Sequence, residues 1–327
     1  MSKNCAGDPR CYTDIHVHVA ELRDAKVDVD TSLLFPGAVN ATHEHAAMLE
    51  QLAKLCEGKR KADFTISYGT GEATVFFRVR RDDFPVDGTW LRMRRMADKA
   101  PDFGSLKFPL PEAVQFLLLD GALQSGGLIA IVGPTGAGKT TTAGATVVER
   151  LKMHGGLAYT VEDPPELPLN GRHGHGYCTQ TEVAGETVGD WVESMRGVLR
   201  SQPAGTPVIL YVGEIRDPQA AHMVLRAALN GFLVICTAFG NDVLTGIQSL
   251  IQLFGEEQRH QLAQMLRLVV HQQFMPDRLL VEFLCSEGPN SRVAAILRNG
   301  TINSLRDEIT LQRNRLLQPR APVHLVA

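Results

Sequence analysis

Residues Gly133-Pro134-Thr135-Gly136-Ala137-Gly138-Lys139-Thr140-Thr141 constrain the fold of this chain more than any other stretch. Gly133, Gly138, Lys139 and Thr140 satisfy the spacing G-x-x-x-x-G-K-[ST] of a P-loop. Such a loop works only between a strand and a helix, and both flanks agree. Leu128-Ile129-Ala130-Ile131-Val132 is a short apolar run suited to a buried parallel strand, and Thr140 to Lys152 reads as a helix. In that setting backbone N–H groups and the helix N-terminus surround an anionic phosphate, while the glycines let the backbone turn tightly. Lys139 is expected to reach the outer phosphates and the Thr140 hydroxyl to ligate Mg²⁺.

The chain has 327 residues, enough for about two domains. Residues 1–100 alternate strand-like runs with one helical stretch. Asp14–Val19 and Lys26–Asp30 alternate polar and apolar side chains, as half-buried strands do, and two further strands are predicted near Asp63–Tyr68 and Thr74–Arg81. Between them Thr42 to Gly58 predicts a helix, with Thr42 as N-cap and Gly58 as stop. Residues 101–111, bracketed by Pro101, Pro109 and Pro111, read as a linker, because proline holds its predecessor extended. From 112 to 327 the pattern becomes helices alternating with apolar strands at 128–132, 157–161, 208–212 and 232–237. The expected fold is α/β: a P-loop domain with a mainly parallel sheet, preceded by a small α+β domain.

Net charge is −3, from 33 basic and 36 acidic residues. A nonspecific nucleic-acid binder carries a basic excess, so no direct nucleic-acid partner is expected. No apolar run approaches the roughly 18 residues of a membrane span, and the first residues show no apolar core of a secretory signal. The six cysteines are scattered without a C-x-x-C pair, which argues against a zinc ribbon or a disulfide framework and for reduced thiols in the cytosol. His16/His18, His43/His45 and His173/His175 have spacings open to metal, but no third ligand is evident, and ordinary surface or core histidines are the simpler reading. Asn170 to Gly176, rich in glycine and histidine, reads as a mobile surface loop.

Hydrolysis needs carboxylates beside the phosphates, and two acidic clusters follow strand-like runs. Tyr159-Thr160-Val161 leads into Glu162-Asp163-Pro164-Pro165-Glu166, and Val208–Val212 leads into Gly213-Glu214-Ile215-Arg216-Asp217. Residues just past strand C-termini face the ligand crevice of a parallel sheet, so these carboxylates are expected to converge on metal and water.

These segments together resemble the ATPases of type II/IV secretion systems and type IV pili. Thr160–Glu166 is similar to the family's aspartate box. Gly213–Asp217 is similar to its Walker B segment, with glycine in place of the usual aspartate. Gln180-Thr181-Glu182-Val183 and Met195–Pro203 resemble two intervening motifs, and Asp14-Ile15-His16 and Phe77-Arg78-Val79 resemble pieces of its N-terminal PAS-like domain. Ile296–Ile302 resembles a late motif of the pilus-retraction branch. The resemblance spans nearly the whole chain in order. It implies a RecA-like ATPase that forms a cytoplasmic homo-hexamer, uses ATP and Mg²⁺, and attaches to the inner membrane through a platform protein of a pilus, secretion or conjugation machine. It further implies that Glu214 is catalytic, with a water-mediated contact to Mg²⁺, and that Glu162, Asp163 and Glu166 lie near the metal and the attacking water. Residues 133–141 would hold the nucleotide. Arginines of the N-terminal domain, Arg78 and Arg92 first and then Arg80, Arg81, Arg94 and Arg95, would reach a neighbour's nucleotide. For any single one of these arginines, a solvated strand face is the simpler reading.

Two departures matter. The family's histidine box falls on Gly231–Asn241, where both histidines are phenylalanine, Phe232 and Phe239. Phenylalanine cannot hydrogen-bond phosphate, so sensing would pass to Thr237 or Asn241, or turnover would be slow and the chain a nucleotide-binding regulator. The late motif is matched only from Ile296 onward, and the four-cysteine zinc insertion of the assembly ATPases is absent, which points to the zinc-free branch.

Overall fold

The computed structural model describes residues 7–21, 26–69, 74–84, 88–183, 185, 187–215 and 218–317. They fall into two compact units. The first comprises Met1–Ala100 with Asp163–Pro168 and Glu182–Glu186, and the second comprises Pro101–Glu162, Leu169–Thr181 and Thr187–Ala327. Arg216 and Asp217 of the second acidic cluster lie outside the described residues.

In the first unit, strands β1 (Asp14–Glu21), β2 (Lys26–Leu34), β3 (Val39–Asn40), β4 (Asp63–Tyr68), β5 (Val75–Phe84) and β6 (Gly88–Arg95) form one sheet in the order β3-β2-β1-β6-β5-β4. Every neighbouring pair is antiparallel. Alternation decides which face is which: Ile15, Val17, Val19, Phe77, Val79, Leu91 and Met93 are buried, and the residues between them point the other way. Helix α1 (Ala46–Cys56) buries Leu49, Leu52, Ala53 and Cys56, one helical stripe, in the same core. Each such large apolar side chain contributes roughly 1.5–3 kcal/mol when fully buried. The expected cap is displaced by one turn: Thr42 caps a short 3-10 turn, His43–His45, where its N–H donates to His45 Nδ1 at 3.0 Å, and α1 itself starts after His45.

The opposite face carries like charges in register, Arg78 across from Arg94 and Arg80 across from Arg92. Directly opposed like charges destabilise a sheet, and aspartates offset them. Arg94 pairs with Asp14 at 2.9 Å, Arg80 with Asp63 at 2.5 Å, and Arg92 with Asp82. The histidine pairs are used locally: His16 packs on Phe35, His18 stacks on Trp90, and His45 Nε2 lies 2.9 Å from the Tyr12 hydroxyl. Among the described residues no three metal-ligating side chains converge.

The second unit is an eight-stranded sheet in the order β14-β13-β7-β12-β11-β8-β10-β9. Its strands are β7 (Gly127–Val132), β8 (Leu157–Glu162), β9 (Gly171–His173), β10 (Gly176–Glu182), β11 (Val208–Glu214), β12 (Leu233–Ala238), β13 (Leu266–Phe274) and β14 (Leu279–Cys285). β13, β7, β12, β11 and β8 run parallel to one another. Central strands β7 and β12 are buried at every residue, which explains why they read as unbroken apolar runs. Helices α2 (Glu112–Leu119), α3 (Lys139–His154), α4 (Val188–Arg200), α5 (Pro218–Leu229), α6 (Val243–Phe254), α7 (Arg259–Met265), α8 (Arg292–Asn299) and α9 (Leu305–Leu317) complete it. Arg150 of α3 is buried and donates to the carbonyls of Leu118 and Asp120 at 2.8 and 3.1 Å, pinning the end of α2; burial pushes its pKa down to about 10.

Two expectations are corrected here. Asn170–Gly176 is not an irregular loop: Gly171–His173 pairs with β10 as a hairpin, and its turn uses Gly174 at φ +57°. Nor are all thiols reduced, since Cys11 is disulfide-bonded, while Cys56, Cys178, Cys236 and Cys285 are free. Among the described residues no helix is long and apolar enough to cross a membrane.

Candidate nucleotide site

β7 ends at Val132 and the chain turns at once through Gly133–Gly138 into α3, whose first residue is Lys139. Gly136 and Gly138 take φ +77° and +79°, a region that side chains disfavour. A Cβ on Gly133 would run into the Gln272 carbonyl oxygen, and one on Gly138 would stand 2.9 Å from Phe274 Cζ. β13 therefore backs the loop closely. Gln272, 1% exposed, reinforces it by donating from Nε2 to the Ala137 carbonyl at 2.5 Å. Lys139 folds over the loop, its ammonium donating to the carbonyls of Gly133 and Pro134 at 2.9 Å each. Thr140 and Thr141 follow, half-buried in the first turn of α3. Glycines where a side chain would fill the cradle, a cation beside it and a helix N-terminus behind it together fit a phosphate group.

Strand β12 lies between β7 and β11. Two strand spacings put the ends of β7 and β11 roughly 10 Å apart, room for a phosphate, a metal and a water. Glu214 closes β11 and is exposed. The preceding Gly213 is held by its carbonyl, which accepts from the Thr237 hydroxyl at the end of β12. A Cβ at Gly213 would lie 3.6 Å from Glu162 Cγ, so the ends of β8, β11 and β12 form one connected rim. Glu162 is buried, with one oxygen accepting from Gln180 Nε2 at 2.8 Å.

The three aspartate-box carboxylates are divided between the two units. Glu162 stays with the sheet of the second unit, whereas Asp163 and Glu166 belong to the first. There the Lys61 ammonium pairs with Asp163 and donates to the Val183 carbonyl at 2.9 Å, and Arg78 pairs with Glu166 at 2.6 Å. Asp163 supplies the counter-charge that Lys61, 7% exposed, needs as a buried ammonium. Arg78 and Arg92 are thus both paired to carboxylates of their own unit. In the Gln180–Val183 motif, Gln180 serves Glu162, while Glu182 Oε1 accepts from the Thr65 N–H at 3.3 Å and burial raises its pKa.

The degenerate histidine box splits by environment. Phe232 is 0% exposed in the core and Phe239 is 54% exposed past the end of β12. The Thr237 hydroxyl proton is committed to Gly213, and Asn241 stands exposed before Asp242, the N-cap of α6. Sequence reasoning missed Lys61, Gln272 and Phe274. A lysine that follows two other basic residues, Lys59 and Arg60, looks solvated, and Gln272 lies 135 residues from its partner in the loop.

Residues 43–316 match the profile of the family described as Type II/IV secretion system protein. The chain belongs to that family. Among curated relatives, the Type II secretion system protein HxcR of Pseudomonas aeruginosa is 34% identical over 40% of this chain and 25% of its own length. The HofB homologue of Haemophilus influenzae is 34% identical over 50% of this chain and 31% of its own. The Type IV pilus ATPase PilU of P. aeruginosa is 29% identical over 65% of this chain and 54% of its own. The chain thus spans about half the length of these curated relatives or less. In structure it is similar to the ATPase DotB of Legionella pneumophila, at TM-score 0.69 and 18% identity over 91% of this chain and 84% of that one. The pilus retraction motor PilT with bound ADP gives TM-score 0.68 and 21% identity over 92% and 86%. The fold is the RecA-like one of these ATPases, with an N-terminal β unit.

Proposed function

We propose that this chain binds ATP with Mg²⁺ on the 133–141 loop, hydrolyses it, and as a homo-hexamer drives a type IV pilus or a type IV secretion or conjugation machine from the cytoplasmic side of the inner membrane. A platform protein there would be its docking partner, and no nucleic acid is needed. The functional division we propose is an N-terminal domain at 1–100, a linker at 101–111 and the ATPase domain at 112–327. The observation that carries the reading is the braced P-loop with Glu214 one strand beyond its neighbour.

Lys139 would exchange the loop carbonyls for outer phosphate oxygens, and the Thr140 hydroxyl would meet the metal. Bound Mg²⁺ neutralises charge on the phosphates. Glu214 orients a water and holds its proton at the carboxylate, while buried Glu162 fixes the rim beside it. Arg78 and Arg92 remain the candidates for reaching a neighbouring subunit's phosphates. Each already donates from Nη1 to a carboxylate oxygen, and a guanidinium donates to phosphate oxygens equally well.

Purified protein tests this through steady-state ATP hydrolysis with its mass in solution. Glu214→Gln is expected to keep ATP binding and lose about 10²–10⁴-fold in turnover, and Lys139→Ala to lose binding. Normal turnover in Glu214→Gln would move the base elsewhere, Glu162 next. Phe232 and Phe239 in place of both histidines motivate a second reading, a nucleotide-binding regulator, which binding without turnover in the wild type would support.

A further inference from the structure

We propose that Phe274 and Phe108 form an aromatic shelf for the base of the nucleotide, which is held by stacking and therefore read with little selectivity between purines. The proposal rests on the P-loop reading above.

Direction comes from the sheet. β12, β11 and β8, with the carboxylates at their ends, lie on one side of β7, and β13 lies on the other. A nucleotide whose outer phosphate points to the Glu214 side leaves the loop, sugar and base last, on the β13 side. Phe274 is the last residue of β13, and its ring abuts the loop where a Cβ on Gly138 would stand. Phe274 is 39% exposed. Phe108, from the segment ahead of α2, meets it at 5.8 Å between centroids and 52° between planes, so the two rings make an angled trough. Lys107 places its ammonium 5.4 Å from the Phe108 ring and covers part of that one. Phe274 is thereby the more open of the two.

An exposed phenyl ring on a soluble surface costs solvation unless something covers it, and the P-loop beside it supplies the occupant: a planar base tethered to phosphates. Stacking accepts any base, since each has a π-face, and neither phenyl carries a donor or acceptor to read exocyclic groups.

Binding of ADP, GDP and tripolyphosphate to the full chain tests the shelf. Phe274→Ala is expected to weaken ADP and GDP alike by about 10-fold to 100-fold, the loss of one stacked base, and to weaken tripolyphosphate, which meets only the loop the ring backs, by clearly less. Phe274→Tyr should restore both nucleotides, Phe108→Ala should show a smaller loss, and wild type should hold ADP and GDP within about tenfold. Equal losses of ADP and tripolyphosphate would mean that Phe274 only braces the loop, and would overturn the proposal. So would unchanged ADP affinity, an altered mass with unaltered affinity, or a preference between ADP and GDP beyond about 100-fold. If wild type binds neither nucleotide nor tripolyphosphate, and Lys139→Ala changes nothing, the P-loop reading itself fails and the shelf with it.

Discussion

His271 sits on β13 beside the end of β7, buried, with Nε2 lacking a hydrogen-bond partner. Burial lowers its pKa from 6.5, against weaker opposing pulls from Glu282, its partner across β14, and from Asp242. The unfolded chain therefore takes up this proton first. Stability is fully present above the unfolded value and declines as pH falls below it. Thermal unfolding followed from about pH 7.5 to about pH 5.5 should show that decline, and His271→Asn should flatten it. An unchanged slope in the variant would remove His271 from the account; His16, also lowered chiefly by burial, would be next. The two phenylalanines of the histidine box give a second contrast at this scale. Phe232→His would bury a polar ring in the core and is expected to cost about 1–3 kcal/mol in denaturant melts. Phe239→His, at an exposed position, should stay within about 0.5 kcal/mol. Equal costs would mean the two sites are not distinguished by burial.

At the scale of elements, β13 does for the P-loop what no local residue does. It supplies the Gln272 amide to Ala137, the Gln272 carbonyl against Gly133, and the Phe274 ring against Gly138. Gln272→Leu keeps the bulk and removes the donor, leaving the buried Ala137 carbonyl short of a partner. A loss of about 1–3 kcal/mol in stability is expected, with weaker tripolyphosphate binding as the sign that the loop, not just the core, has shifted. A variant with full tripolyphosphate affinity would reduce Gln272 to packing. This strand was also invisible in the sequence. β7, β8, β11 and β12 announce themselves as apolar runs closed by glycine or an acid, whereas Leu266-Arg267-Leu268 continues α7 with no glycine or proline between them. β6 was hidden by its arginines, since a strand with one charged face lacks a composition that marks it, and the three-residue β9 is too short for a period to register. The P-loop itself was legible because its function is written in consecutive residues. Its brace, and the partners of Asp163 and Glu166, were not, because they are made by distant chain segments.

At the scale of the molecule, the first unit is not one continuous piece of chain. Asp163–Pro168 and Glu182–Glu186 return to it after the second unit has begun, and they bring the partners of Lys61, the Asp163 carboxylate and the Val183 carbonyl. A boundary near residue 100 follows the proline-rich composition, but a fragment cut there lacks both returns. Lys61→Ala measures what they contribute. In the full chain it leaves Asp163, whose side chain is 23% exposed, without its cation. The expected cost is therefore at or below the ~3 kcal/mol lower end for a broken buried pair. In a fragment of residues 1–100 the lysine has neither partner to lose, and the same substitution should stay within about 0.5 kcal/mol. The difference between the two costs, read from urea melts of the four proteins, isolates the returning segments from any general effect of removing a long side chain. Equal costs in chain and fragment would mean that Lys61 is stabilised by its own first hundred residues and that the acidic returns are passengers in that unit.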